Sequence, residues 1–409
     1  MLLAFSSVWR VRCHVDYLKL QFCMLSSFSR VFSTEDMARL AGKKLPRSIF
    51  DFYSGGAEDE ITMRANRTAF EDICLVPRIL SVKGAVDTSQ TILGSSAKLP
   101  IAIAPMGAVG FGRRDGDIAI ARAARVAGIP YVLSTTATTS IEHLAEAAGG
   151  KLWFQLYALR HREASFRLVD RAKAAGYEAL VVTADVPVGG KRERDLRNDF
   201  SMPFRFTARN LIDFASRPRW ALDMLVNGIP PLPNLAEVVG GDVLPVDAAA
   251  SVGREFDPTF NWEDLKAIRK RWPGQLILKG VLSVADALLA ADAGCNAIIV
   301  SNHGGRQLDG AIATMRALPE ISGALGERLE ILIDGGIRRG SDIAKAVALG
   351  ATAVLVGRPA LYGACVGGEA GVSHVLSILR DELVRSMTLC GVADLASITR
   401  ELVSARHEK

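Results

Sequence analysis

The residues able to do chemistry stand at a few places in this chain. The stretch SNHGGRQLD (301–309) puts His303 three residues before Arg306. An imidazole is the natural general base near neutral pH, and a guanidinium fork is the natural clamp for a carboxylate. A histidine is more often structural, but this one is among only six in the chain and has an arginine beside it. TADVPVGGKRERD (183–195) brings Asp185, suited to orient His303 and stabilise its protonated form, and Arg192 in the loop behind it. Lys279 lies inside the apolar run LILKGV, where an ammonium needs an anionic or electron-rich neighbour; an internal salt bridge is the competing explanation. IDGGIRRG and VGRPALYG carry Gly335, Gly336, Arg338, Gly357 and Arg358. Glycines let backbone N–H groups approach an anion, and the arginines add charge-assisted hydrogen bonds. Asp334 beside them is placed to accept from a hydroxyl. The same glycines would also serve ordinary tight turns, but Gly-Arg clusters in two separate loops favour a phosphate cradle.

These residues must be held by something, and the surrounding pattern says what. Eight short runs are almost continuously apolar: IAIAPM (101–106), YVLSTT (131–136), LWFQLY (152–157), ALVVTAD (179–185), LILKGV (276–281), AIIVSN (297–302), ILIDGG (331–336) and AVLVGR (353–358). Continuous rather than alternating hydrophobicity marks parallel strands buried on both faces. Amphipathic segments such as DIAIARAARVAG and SVADALLAADAG lie between them and close on glycine, as a left-handed C-cap requires. Eight units predict an α/β fold of the (β/α)8 TIM-barrel type. An open doubly wound sheet is the runner-up, but GAVGFG after the first run lacks the GxGxxG spacing of a dinucleotide turn. In a barrel the strand C-termini face the active site. Here those ends hold Ser134, Gln155, Tyr157, Thr183, Asp185, Lys279, Ser301, Asn302, His303, Asp334 and Arg358, a polar mouth.

The rhythm breaks once, between Asp185 and the run at 276, which predicts a long insertion in the fourth βα loop at about 200–260. Its segment 205–235 mixes Arg205, Arg209, Arg217 and Arg219 with Phe206, Phe214, Trp220, Leu222 and Leu225. That composition suits either an interfacial segment on anionic lipid or a lid packed on the barrel or a neighbouring subunit. The stretch VVGGDVLPVDAAASVG reads as a mobile loop. The barrel domain is expected over 31–405. Residues 1–30 form a basic N-terminal extension of doubtful status. It is either a transit peptide or, the preferred reading, sequence ahead of the true start, with Met24 and Met37 just downstream.

Bulk properties narrow the function classes. The 409 residues are 49% hydrophobic with a net charge of +5, enough for a large core and too weakly basic for nucleic acid. Six scattered cysteines without CxxC, and no histidine at ligand spacing, argue against a metal site or disulfide framework and for a reducing, cytoplasmic setting. No run of about 20 apolar residues is present to span a bilayer, so membrane contact is expected to be peripheral, on the inner face of the cytoplasmic membrane.

KLPRSIFDFYSGGAEDE, WFQLY, TADVP with KRERD, LKGV, SNHGGRQLD, DGGIRRG and GRP together resemble the FMN-dependent 2-hydroxy acid oxidase/dehydrogenase family, from about Val31 to about Val403. WFQLY, RERDLRN and FNWEDL are especially similar to mandelate dehydrogenase and membrane-associated relatives. The resemblance implies FMN as cofactor and an (S)-2-hydroxy acid of the L-lactate or mandelate type as substrate. It implies His303 as base with Asp185 behind it, Arg306 and Arg192 on the carboxylate, and Tyr157 on the substrate oxygen. The flavin would lie against Pro105, Met106 and Gly107. Ser134, Gln155 and Thr183 would bond its ring. Lys279, with Ser301 nearby, would stabilise negative charge on its reduced form, and its phosphate would take the last two loops. His303 would remove either the hydroxyl proton, with hydride transfer, or the α-proton. A homotetramer is also implied.

Three positions bear on the reading. Phe52 stands where the family commonly has a tyrosine that helps hold the carboxylate; one lost hydrogen bond is worth on the order of 1 kcal/mol, unless Tyr53 or a different pocket geometry compensates. Met106 replaces a common threonine. Gly107 is the residue that the resemblance associates with dehydrogenases, alanine with oxidases. Together with the insertion it points to electron delivery to a quinone; an oxidase releasing peroxide is the alternative, and a non-catalytic flavin-binding scaffold the remote one.

Overall fold

The computed structural model describes residues 28–81, 84–200, 207–235 and 256–405. Most of the N-terminal extension and the expected mobile loop at 238–253 lie outside those residues. Eight parallel strands close in sequence order into a barrel: β1 (Ile101–Ile103), β2 (Tyr131–Ser134), β3 (Leu152–Tyr157), β4 (Ala179–Thr183), β5 (Gln275–Val281), β6 (Ala297–Val300), β7 (Glu330–Ile333) and β8 (Ala353–Val356). Each expected run holds one strand. Several strands stop short of their runs because the final small or polar residues already turn into the βα loop.

A period of two explains the barrel's chemistry. Val132, Trp153, Val181, Ile277, Ile299, Leu332 and Leu355 fill its interior, while Leu133, Phe154, Val182, Leu278, Val300, Ile333 and Val354 pack in the cluster shared with the helices. Ile92, Leu93 and Ala97, from a short hairpin, join the interior cluster. That hairpin is tied to Glu330 and Thr352 at the N-terminal ends of β7 and β8, so it plugs the far end. Two positions further along the same inward face, the residues become Ser134, Gln155, Thr183, Lys279, Ser301, Asp334 and Gly357. Apolar below and polar above is therefore one register read twice. The expected helix-ending glycines Gly128, Gly149, Gly176, Gly294 and Gly350 all take positive φ.

Three N-terminal helices, α1 (Thr34–Lys44), α2 (Arg47–Ser54) and α3 (Ile61–Glu71), lie over the C-terminal mouth through their bonds to the β6 and β7 loops. Helix α2 begins after Pro46, which offers no side-chain cap. The cap comes from the insertion instead: Asp213 accepts from Arg47 N, Ser48 N and Ser48 Oγ at 2.8–2.9 Å.

Asp213 belongs to the first of two insertion helices among the described residues, α4 (Ala208–Ala215) and α5 (Pro218–Asn227). Of the two readings of this segment, Phe214 and Trp220 follow the one in which it packs on the barrel. Phe214 is buried, the two rings lie 4.9 Å apart, and the Trp220 indole donates to Phe111 O at 2.7 Å. Ile212, Leu222, Leu225 and Val226 remain bare, Leu225 at 82% exposure.

Strand β5 carries a bulge between Lys279 and Val281. Gly280 there has φ +106°, and a Cβ on it would stand 2.7 Å from Asp185 Cβ. Only glycine lets β5 pass that close to Asp185. Gly280→Ala is expected to lose about 2 kcal/mol of stability, read as a lower urea midpoint.

Candidate active site

A cavity of about 700 Å³ opens at the strand C-termini, and Tyr157, Thr183, Arg192, Lys279, His303 and Arg306 face it together with Asp334, Gly335, Gly336, Arg338, Gly357 and Arg358. His303 follows β6 in the left-handed region, φ +58°, with its backbone N–H on Ser301 Oγ at 3.0 Å. Its Nδ1 lies 2.9 Å from Asp185 Oδ1 and its Nε2 3.3 Å from the Tyr157 hydroxyl. An ionised carboxylate only accepts, so Nδ1 carries the proton and Nε2 keeps its lone pair. Burial pushes the Tyr157 hydroxyl up to about 12, so it stays protonated and donates to Nε2.

Burial holds His303 below the ordinary imidazole value, against the pull of Asp185 and with help from the Lys279 charge. Burial alone would raise Asp185, but the charges of His303 and Lys279 outweigh it and keep the carboxyl below its usual range. Lys279 meets the same conflict: burial would lower it, and Asp334 and Asp185 hold it up. Its Nζ lies 3.3 Å from Asp334 Oδ2, 3.9 Å from Asp185 Oδ2 and 2.9 Å from Ser301 Oγ. At neutral pH the set is a neutral imidazole beside an ionised Asp185 and a charged Lys279.

Arg306 is partly buried. Its Nη1 donates to Phe52 O and Gly55 O, both at 2.8 Å, leaving Nε and Nη2 without a protein partner among the described residues. Burial, then the charges of Arg192 and Arg358, bring it down to about 9. It stays charged at neutral pH, and a bound anion would relieve it. Arg192 is held by Asp195 at 2.8 Å through Nε alone. Tyr53 does not replace the hydroxyl absent at Phe52, because its own OH is given to Ala108 O at 2.8 Å.

Arg358 spends Nε, Nη1 and Nη2 on Tyr53 O, Gly304 O and Gly55 O. It braces α2 against the β6 loop while still facing the cavity. Gly335 and Gly336, both at positive φ, lie against α3: Asn66 occupies the space a Gly336 Cβ would need, and Arg67 bonds Gly336 O and Asp342. Neither Asn66 nor Arg67 was singled out from sequence.

Ser134 and Gln155 stand behind Thr183, which lines the cavity. Ser134 Oγ donates to Gln155 Oε1 at 3.1 Å and Gln155 Nε2 to Thr183 Oγ1 at 3.0 Å, so they form a fixed network behind Thr183. Pro105, Met106 and Gly107 do line the cavity. So do Thr136, Phe200, Leu232 and Phe256, all missed from sequence. A Cβ at Gly107 would overlap Thr136 Oγ1, so this hydroxyl fills the space an alanine methyl would take.

Fold and site together define a barrel of the class that sets an anion cradle on its last two loops beside a His–Asp pair and a carboxylate-sized arginine cluster. The family model described as FMN-dependent dehydrogenase matches residues 41–405. An L-lactate dehydrogenase of Caulobacter vibrioides is 43% identical over 377 residues, 92% of this chain and 98% of its own length. An L-lactate oxidase of Nostoc is 42% identical over 379 residues, 91% and 98% respectively. The crystal structure of the monotopic membrane protein (S)-mandelate dehydrogenase aligns with a TM-score of 0.89 at 41% identity, over 92% of this chain and all of the other. The chain belongs to the FMN-dependent 2-hydroxy acid dehydrogenase family, and its cofactor is FMN.

The residues present fit that cofactor. Among the described residues Asp334 Oδ1 is buried without a hydrogen-bond partner, as an acceptor awaiting a hydroxyl would be. Lys279 offers a buried cation, and Gly335, Gly336, Arg338 and Arg358 offer an anion cradle. The cavity lies within the range of roughly 300–1,000 Å³ found for cofactor sites.

His303 must be neutral to take a proton, so activity should fall as pH drops through its pKa, which lies below the usual 6.5. Asp185 raises that pKa, so Asp185→Asn moves the acidic limb of kcat/KM to lower pH. The same change lowers its plateau on the order of 100-fold, read from pH–rate profiles.

Proposed function

We propose that this protein oxidises an (S)-2-hydroxy acid of the L-lactate or mandelate type to the 2-oxo acid and delivers the electrons to a quinone. The observation that carries the reading is His303, oriented by Asp185, beside an Arg306 whose Nε and Nη2 have no protein partner among the described residues. The substrate carboxylate docks on Arg306 and Arg192, which fixes the α-carbon relative to the imidazole. Nε2 of His303 takes the proton, and Asp185 stabilises the imidazolium that results. Tyr157 bonds the substrate oxygen, and Lys279 stays charged throughout. FMN, when bound, supplies the acceptor for the electron pair. Phe52, Met106, Phe200, Leu232 and Phe256 give the rest of the cavity an apolar wall, which suits a side chain larger than methyl.

A second reading, an oxidase using oxygen, draws support from the L-lactate oxidase relative. Purified holoenzyme mixed anaerobically with L-lactate or (S)-mandelate should lose its visible flavin absorption, and recover it slowly in air but quickly with a quinone. Fast recovery in air with peroxide release would establish the oxidase instead. No bleaching by either acid would end the hydroxy-acid reading.

Peripheral membrane contact through 205–235, of which 205–206 lie outside the described residues, and a homotetrameric assembly belong to the same proposal. No helix among the described residues is long and apolar enough to cross a membrane. The bare Ile212, Leu222, Leu225 and Val226, near Arg209 and Arg219, support an interfacial role, as does the monotopic relative. Leu222→Ser with Leu225→Ser should cut sedimentation with phosphatidylglycerol vesicles several-fold while leaving turnover with a soluble dye unchanged.

A further inference from the structure

Arg192 and Arg306 are two partly buried cations that line the same cavity. Among the described residues Arg306 is held by carbonyls alone, while Arg192 is paired with Asp195 through Nε at 2.8 Å. The charge of Arg192 is the largest neighbouring charge acting against Arg306. Something has to hold both guanidiniums near each other before any substrate arrives.

Both guanidiniums approach one aromatic side chain. The Arg192 and Arg306 guanidinium carbons lie over the Phe52 ring at 5.6 and 5.5 Å from its centroid. The ring itself is buried and fixed, with the Phe200 ring at 4.7 Å and the Tyr53 ring at 5.4 Å. The negative face of an aromatic ring attracts a cation within about 6 Å, and more strongly when water is excluded. Phe52 also supplies its backbone carbonyl to Arg306, so one residue meets the same guanidinium through two groups.

We propose that Phe52 is a positioning residue for the carboxylate clamp. Its ring face holds Arg192 and Arg306 together by a double cation–π contact, a role a phenol hydroxyl does not fill. The proposal rests on the carboxylate-binding reading of these arginines and adds to it the means by which an unliganded pair stays in place. The clamp is then set by the electron density of a ring rather than by a hydrogen bond to the substrate. Phe52 acts on binding through the arginines and takes no part in proton transfer at His303.

The test replaces Phe52 in the holoenzyme with 4-fluoro-, 3,5-difluoro- and 3,4,5-trifluorophenylalanine, which keep the shape and progressively strip the ring face of negative potential. Oxalate, a small dicarboxylate, is the binding probe, followed by perturbation of the flavin spectrum; KM and kcat for L-lactate and (S)-mandelate are measured alongside. Oxalate binding and KM are expected to weaken stepwise with each fluorine, reaching about 10-fold for the trifluoro variant, while kcat moves by less than about three-fold. Phe52→Leu should weaken both as much or more, and Phe52→Tyr, which keeps the ring, should restore them. Oxalate binding and KM within two-fold of the parent across the fluorine series would overturn the proposal and leave the ring as a spacer. Failure of the parent protein itself to bind oxalate would overturn the carboxylate reading and this one with it.

Discussion

A buried ammonium cannot stand alone, and the site is organised around the one at Lys279. Its charge is shared by Asp334 on one side and Asp185 on the other. Asp185 in turn is the group that orients His303. The cofactor-binding end and the proton-handling end of the mouth therefore draw on the same cation. Ser301 couples them again, accepting from Lys279 Nζ and from the His303 N–H. With attraction in the interior stronger than in water and desolvation correspondingly costly, such a set holds only if every member is present. The bulge at Gly280 exists in that context: it brings Asp185 against β5 at the point where Lys279 leaves it.

The second organising element is α2. A helix usually ends with its last carbonyls met by water, a glycine turn or its own basic side chains. Helix α2 has no basic residue in its last turn. Its Phe52 and Tyr53 carbonyls, with that of Gly55, are met by Arg306 and Arg358 from the β6 and β8 loops. The partial negative charge of the helix end thus faces two cations that have little other compensation. Its opposite end is capped by Asp213 from the insertion, so the insertion helices with the bare apolar face are tied directly to the helix that roofs the site.

Much of this was legible in the sequence because burial leaves a plain signature. All eight strands are buried on both faces, which makes them continuous apolar runs, and the switch to polar residues two positions on marks the mouth. The Gly-Arg loops and SNHGGRQLD carried their own chemistry. What escaped lies where no period applies. Phe200, Leu232 and Phe256 come from irregular stretches and reach the cavity only through the tertiary path of the insertion. Thr136 matters because of one overlap with Gly107, which no local pattern encodes. Composition left open whether Phe214 and Trp220 face outward or pack on the barrel; the packing and the Trp220 bond to Phe111 O, which decide it, are tertiary. Ser134 and Gln155 sit at the right strand ends, but in the structure they bond each other.

The bonds from Arg306 and Arg358 to α2 and Gly55 span 251–305 residues of chain. Contacts of such separation carry the largest loop-closure entropy and tend to form late. On a ribosome the helix emerges long before either arginine exists. Helix α2 must wait, with its end carbonyls solvated, until the last two strands have closed the cylinder. The active site is in this sense a clasp between the two ends of the polypeptide, and its completion reports that the whole domain has folded.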